Sequence, residues 1–308
     1  MKQSFTIDEL KPMAIFATVV RQGSMSGAAR LLGLSTSAVS QQVRALEHVH
    51  GVTLLHRSTR KLSLSDEGQR VYAECALMID AAERAQLQLR AARDTPSGEL
   101  RIAAPIGFGP HIAPALGPLL AAHPALTLRL CVDDAMIDLI EARIDVAIRV
   151  GRLPDSQWVA RRLCSLELWL CATPGYLAQH GTPQTPEELP GHTWLGLGAT
   201  RESSGFTLTL HDSTDASREL YVDPRVTSNN QLLVQQMCQS GFGLALFSAI
   251  DAQPPIDAGL LHRVLPDWQL PRYDIWAVTP QRDAQPAKVR RAIETLSDYL
   301  RALPGTAA

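Results

Sequence analysis

Thr36, Ser37, Ser40, Gln41 and Arg44 recur at intervals that gather them on one side of an α-helix, while Val39, Val43 and Leu46 gather on the other. The polar side offers hydroxyls, a carboxamide and a guanidinium, and almost no carboxylate. Such groups can hydrogen-bond to base edges in a major groove without setting negative charge beside the phosphates. On a lone helix the same face would suit plain solvation, so the neighbouring elements decide between the two.

Those elements are helical and tightly turned. Met13, Phe16, Ala17 and Val20 predict a first helix from Leu10, stopped by Gly23. Ser24 can cap a second, whose buried face is Met25, Ala28, Ala29 and Leu32, and Gly33 ends it. Two alanines at the crossing suit helices that approach steeply over a short turn. Ser35 or Thr36 begins the third helix. After Gly51, "VTLLHRSTRKLSLSDEG" holds two short alternating runs around His56, Arg57, Ser58, Thr59, Arg60 and Lys61, a hairpin with a cationic tip of the kind that lies along a phosphate backbone or enters a minor groove.

Net charge is −2 over 308 residues, but it is unevenly placed. Residues 1–61 carry eight Lys/Arg against three Asp/Glu, a charge of +5, and the remainder 21 against 28, a charge of −7. A basic head on an acidic body points to a nucleic-acid-binding segment. With 45% hydrophobic residues the chain can build two or three cores. Asp8, Glu9 and Lys11 interrupt any apolar leader near the start, so a cytoplasmic protein with no membrane span is expected. Five scattered cysteines without a C-x-x-C pair are expected to be reduced and mostly buried.

Following Ser65, residues 66–93 lack proline and predict one long helix. Val71, Cys75, Met78, Ala82, Ala85 and Leu89, with Ala92 beyond them, are spaced as a heptad seam that seeks a partner, either the body of the same chain or a second helix. "RDTPSGE" then breaks the pattern as a hinge.

From Leu100 strands and helices alternate: "LRIAAP", a helix over His111 to Ala122, "LTLRLCV", a helix over Met136 to Ala142, and "DVAIRVG". This βαβαβ unit predicts a parallel sheet with ligands at the carboxyl ends of its strands. A second unit follows, with "LELWLCA", a short helix at "TPEEL", a longer one over Asn230 to Ser240, and the strand "LALFSAI". "YDIWAV" and a helix from Pro286 to Leu303 return to the first unit.

The stretch from about Leu10 to Gly68, "GSMSGAARLLGLSTSAVSQQVRALEHVHGVTLLHRSTRKLSLSDEG" at its heart, resembles the winged helix-turn-helix domain of LysR-type transcriptional regulators. The alternating body is similar to that family's sensor domain. The resemblance implies an α/β protein with an N-terminal winged helix-turn-helix domain (1–65), a long linker helix for dimerisation (66–94), a hinge (95–99) and a C-terminal two-lobed, periplasmic-binding-protein-like sensor domain (100–304). Lobe I takes about 100–168 and 272–304, and lobe II about 169–271. It implies DNA contacts from Ser35, Thr36, Ser37, Ser40, Gln41 and Arg44, with Arg57, Arg60 and Lys61 in the wing. It places a small-molecule effector between the lobes near Ile106, Gly107 and Phe108, Arg149 and Gly151, and Ser228, Asn229 and Phe247. Expected partners are double-stranded promoter DNA, that effector, RNA polymerase, and further copies of the chain in a homodimer or homotetramer.

Two departures qualify the analogy. Many members carry Gln at the position of Thr36 and Arg at that of Gln41, so base preferences do not transfer. Many also hold an effector carboxylate with a Ser or Thr after the first strand, whereas "APIGFGPH" has no hydroxyl. Amides at Gly107 and Gly109 could serve an anion instead, and Phe108 suits an aromatic ligand or a core contact equally.

Competing chemistry is sparse. "GFG" and "GLG" do not extend to G-x-G-x-x-G, and the chain has no phosphate loop, no G-x-S-x-G and no H-x-x-x-H. His111, His123, His180, His192, His211 and His262 are expected as isolated surface or loop residues. No cofactor, metal or catalytic residue is assigned. An α/β enzyme with a DNA-binding head, and a DNA-binding protein with no effector, remain the alternatives.

Overall fold

The computed structural model describes residues 6–57, 62–134, 138–153, 158–198, 205–214, 216–280 and 285–307. It divides into two compact units, Met1–Ala91 and Ala92–Ala308.

In the first unit a 3-10 turn, Ile7–Glu9, leads into α1 (Leu10–Gln22), α2 (Met25–Leu32) and α3 (Thr36–His50). Ser24 and Ser35 cap α2 and α3, their hydroxyls accepting the N–H of Gly27 at 3.0 Å and of Ala38 at 3.1 Å. Gly33 closes α2 with a φ of 66°, a left-handed turn that would strain a larger residue. Phe16, Ala17, Ala28, Ala29, Val39, Val43 and Leu46 share one core, and the small alanine pair lets α2 lie close to its neighbours. Leu32, expected on the buried face, is exposed instead. An antiparallel hairpin of β1 (Leu55–Arg57) and β2 (Leu62–Leu64) follows. The wing residues Arg60 and Lys61 between them lie outside the described residues, as does the side chain of Arg57.

The long helix α4 runs over Asp66–Asp94. Ser65 caps it, accepting the N–H of Gly68 at 2.9 Å while donating to Thr53 O. A Cβ at Gly68 would fall 2.1 Å from Leu54 O, so only glycine permits this crossing of helix and hairpin.

The second unit opens with β3 (Gly98–Ala104), a 3-10 turn (Ile106–Phe108), α5 (Gly109–Ala122), β4 (Leu126–Val132), β5 (Val146–Val150), β6 (Val159–Leu166) and β7 (Leu168–Ala172). There follow α6 (Pro174–His180), a 3-10 turn (Pro186–Gly191), β8 (Leu195–Leu197), β9 (Phe206–His211), β10 (Ser217–Val222), β11 (Val226–Ser228), α7 (Gln231–Gln239), β12 (Ala245–Ser248), α8 (Ala249–Asp257) and β13 (His262–Val264). The chain closes with β14 (Tyr273–Thr279), α9 (Ala287–Arg301) and β15 (Thr306–Ala307).

One six-stranded sheet, ordered β15-β6-β14-β5-β3-β4, forms the larger lobe. It is mixed rather than purely parallel: β3 runs parallel to β4 and β5, while β14 is antiparallel to both β5 and β6. Apolar residues of α5 and α9, among them Ile112, Leu116, Ile293 and Leu296, pack on it around Ile102, Ile148 and Ile275. The smaller lobe is built on β12-β7-β13, with the pairs β8–β11 and β9–β10 beside it. α8 belongs to both, since Ile250 joins the core of the large sheet and Ala252 that of the small one.

The helix expected over Met136 to Ala142 is not formed across its described part. Asp138 accepts the N–H groups of Ile140 and Glu141 at 2.8 and 3.0 Å, giving one turn that Arg143 ends with a φ of 53°; Met136 lies outside the described residues. Among the described residues no helix is long and apolar enough to cross a membrane.

Candidate nucleic-acid interface and ligand cleft

On α3 the structure turns Thr36, Ser37, Gln41 and Arg44 outward and exposed, with Ser40 half-buried, while Val39, Val43 and Leu46 are buried beneath them. Ser35 Oγ, besides capping the helix, lies 3.0 Å from Ser37 Oγ, so those two hydroxyls support one another. Arg44 is exposed and unpaired among the described residues. The face is thus a ridge of neutral donors and acceptors with one free cation.

One residue that aims this ridge was not anticipated. Glu47, in the last turns of α3, accepts the backbone N–H groups of Leu54 and Leu55 at 2.8 and 3.1 Å through a single carboxylate oxygen. It binds the end of the helix to the first strand of the hairpin. The clue lay in the helix being nearly free of carboxylates, so that its single Glu had a local task.

The seam of α4 divides in two. Cys75 is buried within the core of the first unit, and Val71, Tyr72 and Ile79 pack against that core. Cys75 is therefore docked on its own chain, which corrects its assignment to a dimer contact; Val71, packed against the same core, and Met78 are half-buried. Ala82, Ala85 and Leu89 are exposed, Leu89 to 73%.

In the second unit, the turn after β3 uses its own amides. Ile106 donates to Asp134 Oδ1 at 2.9 Å, Phe108 to Pro105 O at 2.9 Å, and Gly109 to Ile106 O. Gly109 is therefore no ready anion donor. Gly107 faces the smaller lobe, where a Cβ added to it would sit 3.6 Å from Cβ and Cγ of Gln231, the first residue of α7. Gln231 is itself held by donation from Nε2 to Leu246 O at 3.1 Å. Ser228 and Asn229 immediately precede this helix end, and Ser228 Oγ accepts the N–H of Asn230 at 3.0 Å. The turn of one lobe and the helix start of the other thus meet at this point.

Arg149 is half-buried on β5 and stands opposite Trp276 of β14. Trp276 Nε1 donates to Gly151 O at 2.9 Å, holding the indole beside the strand end. The two phenylalanines do not line the cleft. Phe108 lies in the core of the large lobe, and Phe247, 1% exposed, packs with Cys171, Leu195 and Val234 inside the small one. Both are corrected to core residues, because an aromatic ring next to a strand end fills the sheet interior as readily as a pocket.

His111 also departs from expectation. It is buried, not on the surface, with Nε2 2.9 Å from Asp251 Oδ1, and so links α5 to α8. Ser248 Oγ and Gln235 Nε2 donate to the other oxygen of Asp251 at 2.6 and 3.4 Å. His180 and His192 flank Tyr176, whose ring stacks on His180 at 4.4 Å and whose hydroxyl lies 3.3 Å from His192 Nδ1. Burial, then the neighbouring His180, lower the pKa of His192.

Four of the five cysteines are buried and Cys131 is half-buried. Burial pushes Cys164 up to about 11 and Cys171 and Cys238 up to about 12, so these thiols stay protonated and poorly nucleophilic. Among the described residues no cluster of His, Cys, Asp and Glu is arranged to hold a metal.

Comparison with known proteins places two family models on the chain. Residues 10–69 match the bacterial regulatory helix-turn-helix protein, lysR family, and residues 93–301 the LysR substrate binding domain. The chain is 35% identical over 291 residues to an HTH-type transcriptional regulator of Xanthomonas campestris pv. campestris, covering 94% of this chain and 84% of that one. It is 33% identical to the HTH-type transcriptional regulator DmlR of Escherichia coli, covering 94% of each. The solved full-length structure of the Vibrio cholerae virulence activator AphB, 26% identical, aligns with a TM-score of 0.70 over 96% of this chain and 99% of that one.

Proposed function

The chain belongs to the LysR family of bacterial transcriptional regulators, and we propose that it reads a two-fold related promoter site with a pair of α3 helices, under the control of a small molecule held between its lobes. The observation that carries this reading is the outward face of α3, on which Thr36, Ser37, Gln41 and Arg44 stand clear of any carboxylate partner above a buried Val39, Val43 and Leu46. The charge of +5 over residues 1–61 supplies the non-specific attraction to phosphate. Arg57, Arg60 and Lys61 extend it along the wing.

Pairing of α4 through Ala82, Ala85 and Leu89, with Met78 at its edge, sets two such faces on one duplex. Ile106, Gly107, Arg149, Gly151, Ser228 and Asn229, together with Gln231 and Trp276, form the effector cleft. Binding there shifts the population of lobe arrangements, and the spacing of the two DNA-binding units follows. The protein acts in the cytoplasm, contacts RNA polymerase at the promoter, assembles further into tetramers, and catalyses no reaction.

The test is selection of fragments from genomic DNA by the purified protein, followed by screening of metabolites for changes in the footprint. Enrichment of fragments sharing a two-fold motif, with a metabolite that alters protection, is the expected result. Absence of any enrichment at moderate ionic strength overturns the DNA-reading assignment, and a footprint indifferent to every metabolite overturns the effector assignment.

A further inference from the structure

The way α4 leaves the DNA-binding domain is fixed by more than its apolar contacts. Its docked side runs from Gly68, against Leu54, through Val71, Tyr72 and Cys75 to Ile79. One residue past that last apolar contact, Asp80 and Glu83 stand one turn apart and receive Arg21 from the final turn of α1. Arg21 Nη2 reaches Asp80 Oδ1 at 2.6 Å and Nη1 reaches Glu83 Oε1 at 3.2 Å. Its hydrogen bond to the Asp80 carboxylate, foremost, raises the guanidinium above its ordinary pKa. Beyond Glu83, residues 84–94 are exposed throughout.

We propose that Arg21 is a positioning residue that sets the angle between α4 and its own helix-turn-helix, and so selects the separation of the two DNA half-sites. The proposal rests on the reading that α4 pairs two copies on one duplex. Its physical basis is leverage. Without the fork, α4 is held only as far as Ile79, about 6 Å short of Glu83 at a rise of about 1.5 Å per residue, and the unrestrained arm between anchor and seam lengthens by that amount. A planar guanidinium with two N–H groups directed at two carboxylates fixes an orientation that a single point charge cannot. All three side chains are partly solvated, so the fork adds little to folding stability. Its effect falls on geometry.

The experiment uses the full-length protein and duplexes carrying the selected operator with its half-sites at the native separation, at one and two base pairs more or less, and as a single half-site. Arg21→Gln is expected to bind the single half-site as wild type does, while its preference for native spacing falls about three- to tenfold, as loss of a partly exposed charged fork allows. The charge-reversed pair Arg21→Glu with Asp80→Arg should recover part of the preference. An unchanged spacing profile in Arg21→Gln overturns the proposal. So does equal weakening on the single half-site, which would make Arg21 a contact or folding residue. A wild-type protein indifferent to spacing would instead refute the paired reading beneath it.

Discussion

At the scale of single residues, Arg44 is the most exposed to test. If it reads a base, Arg44→Ala should cost about 1–3 kcal/mol and relax specificity at one position in each half-site, as measured on a set of substituted operators. Uniform weakening across all sequences would make it a phosphate contact. The thiols give an independent check on burial: at pH 8 an alkylating reagent should modify half-buried Cys131 well before Cys171 and Cys238, whose pKa values are pushed up to about 12. Labelling of all three at one rate would contradict the packing of the small lobe. The α3 face was legible in the sequence because the helix period fixes which residues share a side within three turns. The partner of His111 was not, for Asp251 is 140 residues away and no local pattern announces it.

Elements show where periodicity suffices and where tertiary packing overrides it. α1, α2 and α3 follow their apolar spacing closely, and α2 and α3 their serine caps, apart from the exposed Leu32. The heptad spacing of α4 is docked on its own unit only over the first turns, which complete a domain too small to close its own core, and leaves Ala82, Ala85 and Leu89 exposed. Spacing alone cannot tell a seam for a neighbour from a seam for the same chain. Leu89→Glu should therefore abolish pairing in sedimentation and weaken binding to a two-fold site, while the melting temperature at low concentration stays unchanged. Retained dimers would remove Leu89 from the interface. The strand β6 is not legible in the sequence, since Arg161 and Arg162 break its apolar alternation, although it pairs along β14 over nearly its whole length.

For the whole molecule, the two-lobed body was legible as alternating strands and helices, yet the sharing of α8 between lobes was not. That sharing gives Asp251 unusual weight: it receives His111 from α5, Gln235 from α7 and Ser248 from β12. Asp251→Ala strips buried His111 and Gln235 and half-buried Ser248 of their partner and should destabilise the second unit by about 1–3 kcal/mol, read by chemical denaturation. A neutral substitution would mean that the lobes are joined by their apolar contacts alone. The central claim concerns the other unit: that the outward face of α3, doubled by a second copy, recognises a two-fold site. Hydroxyl-radical footprinting of a selected operator tests it most directly. The account predicts two protected half-sites on one face of the duplex, their centres separated by a whole number of turns of about 10 base pairs, both lost together when either half is scrambled. A single protected patch, or protection that survives scrambling, would contradict it.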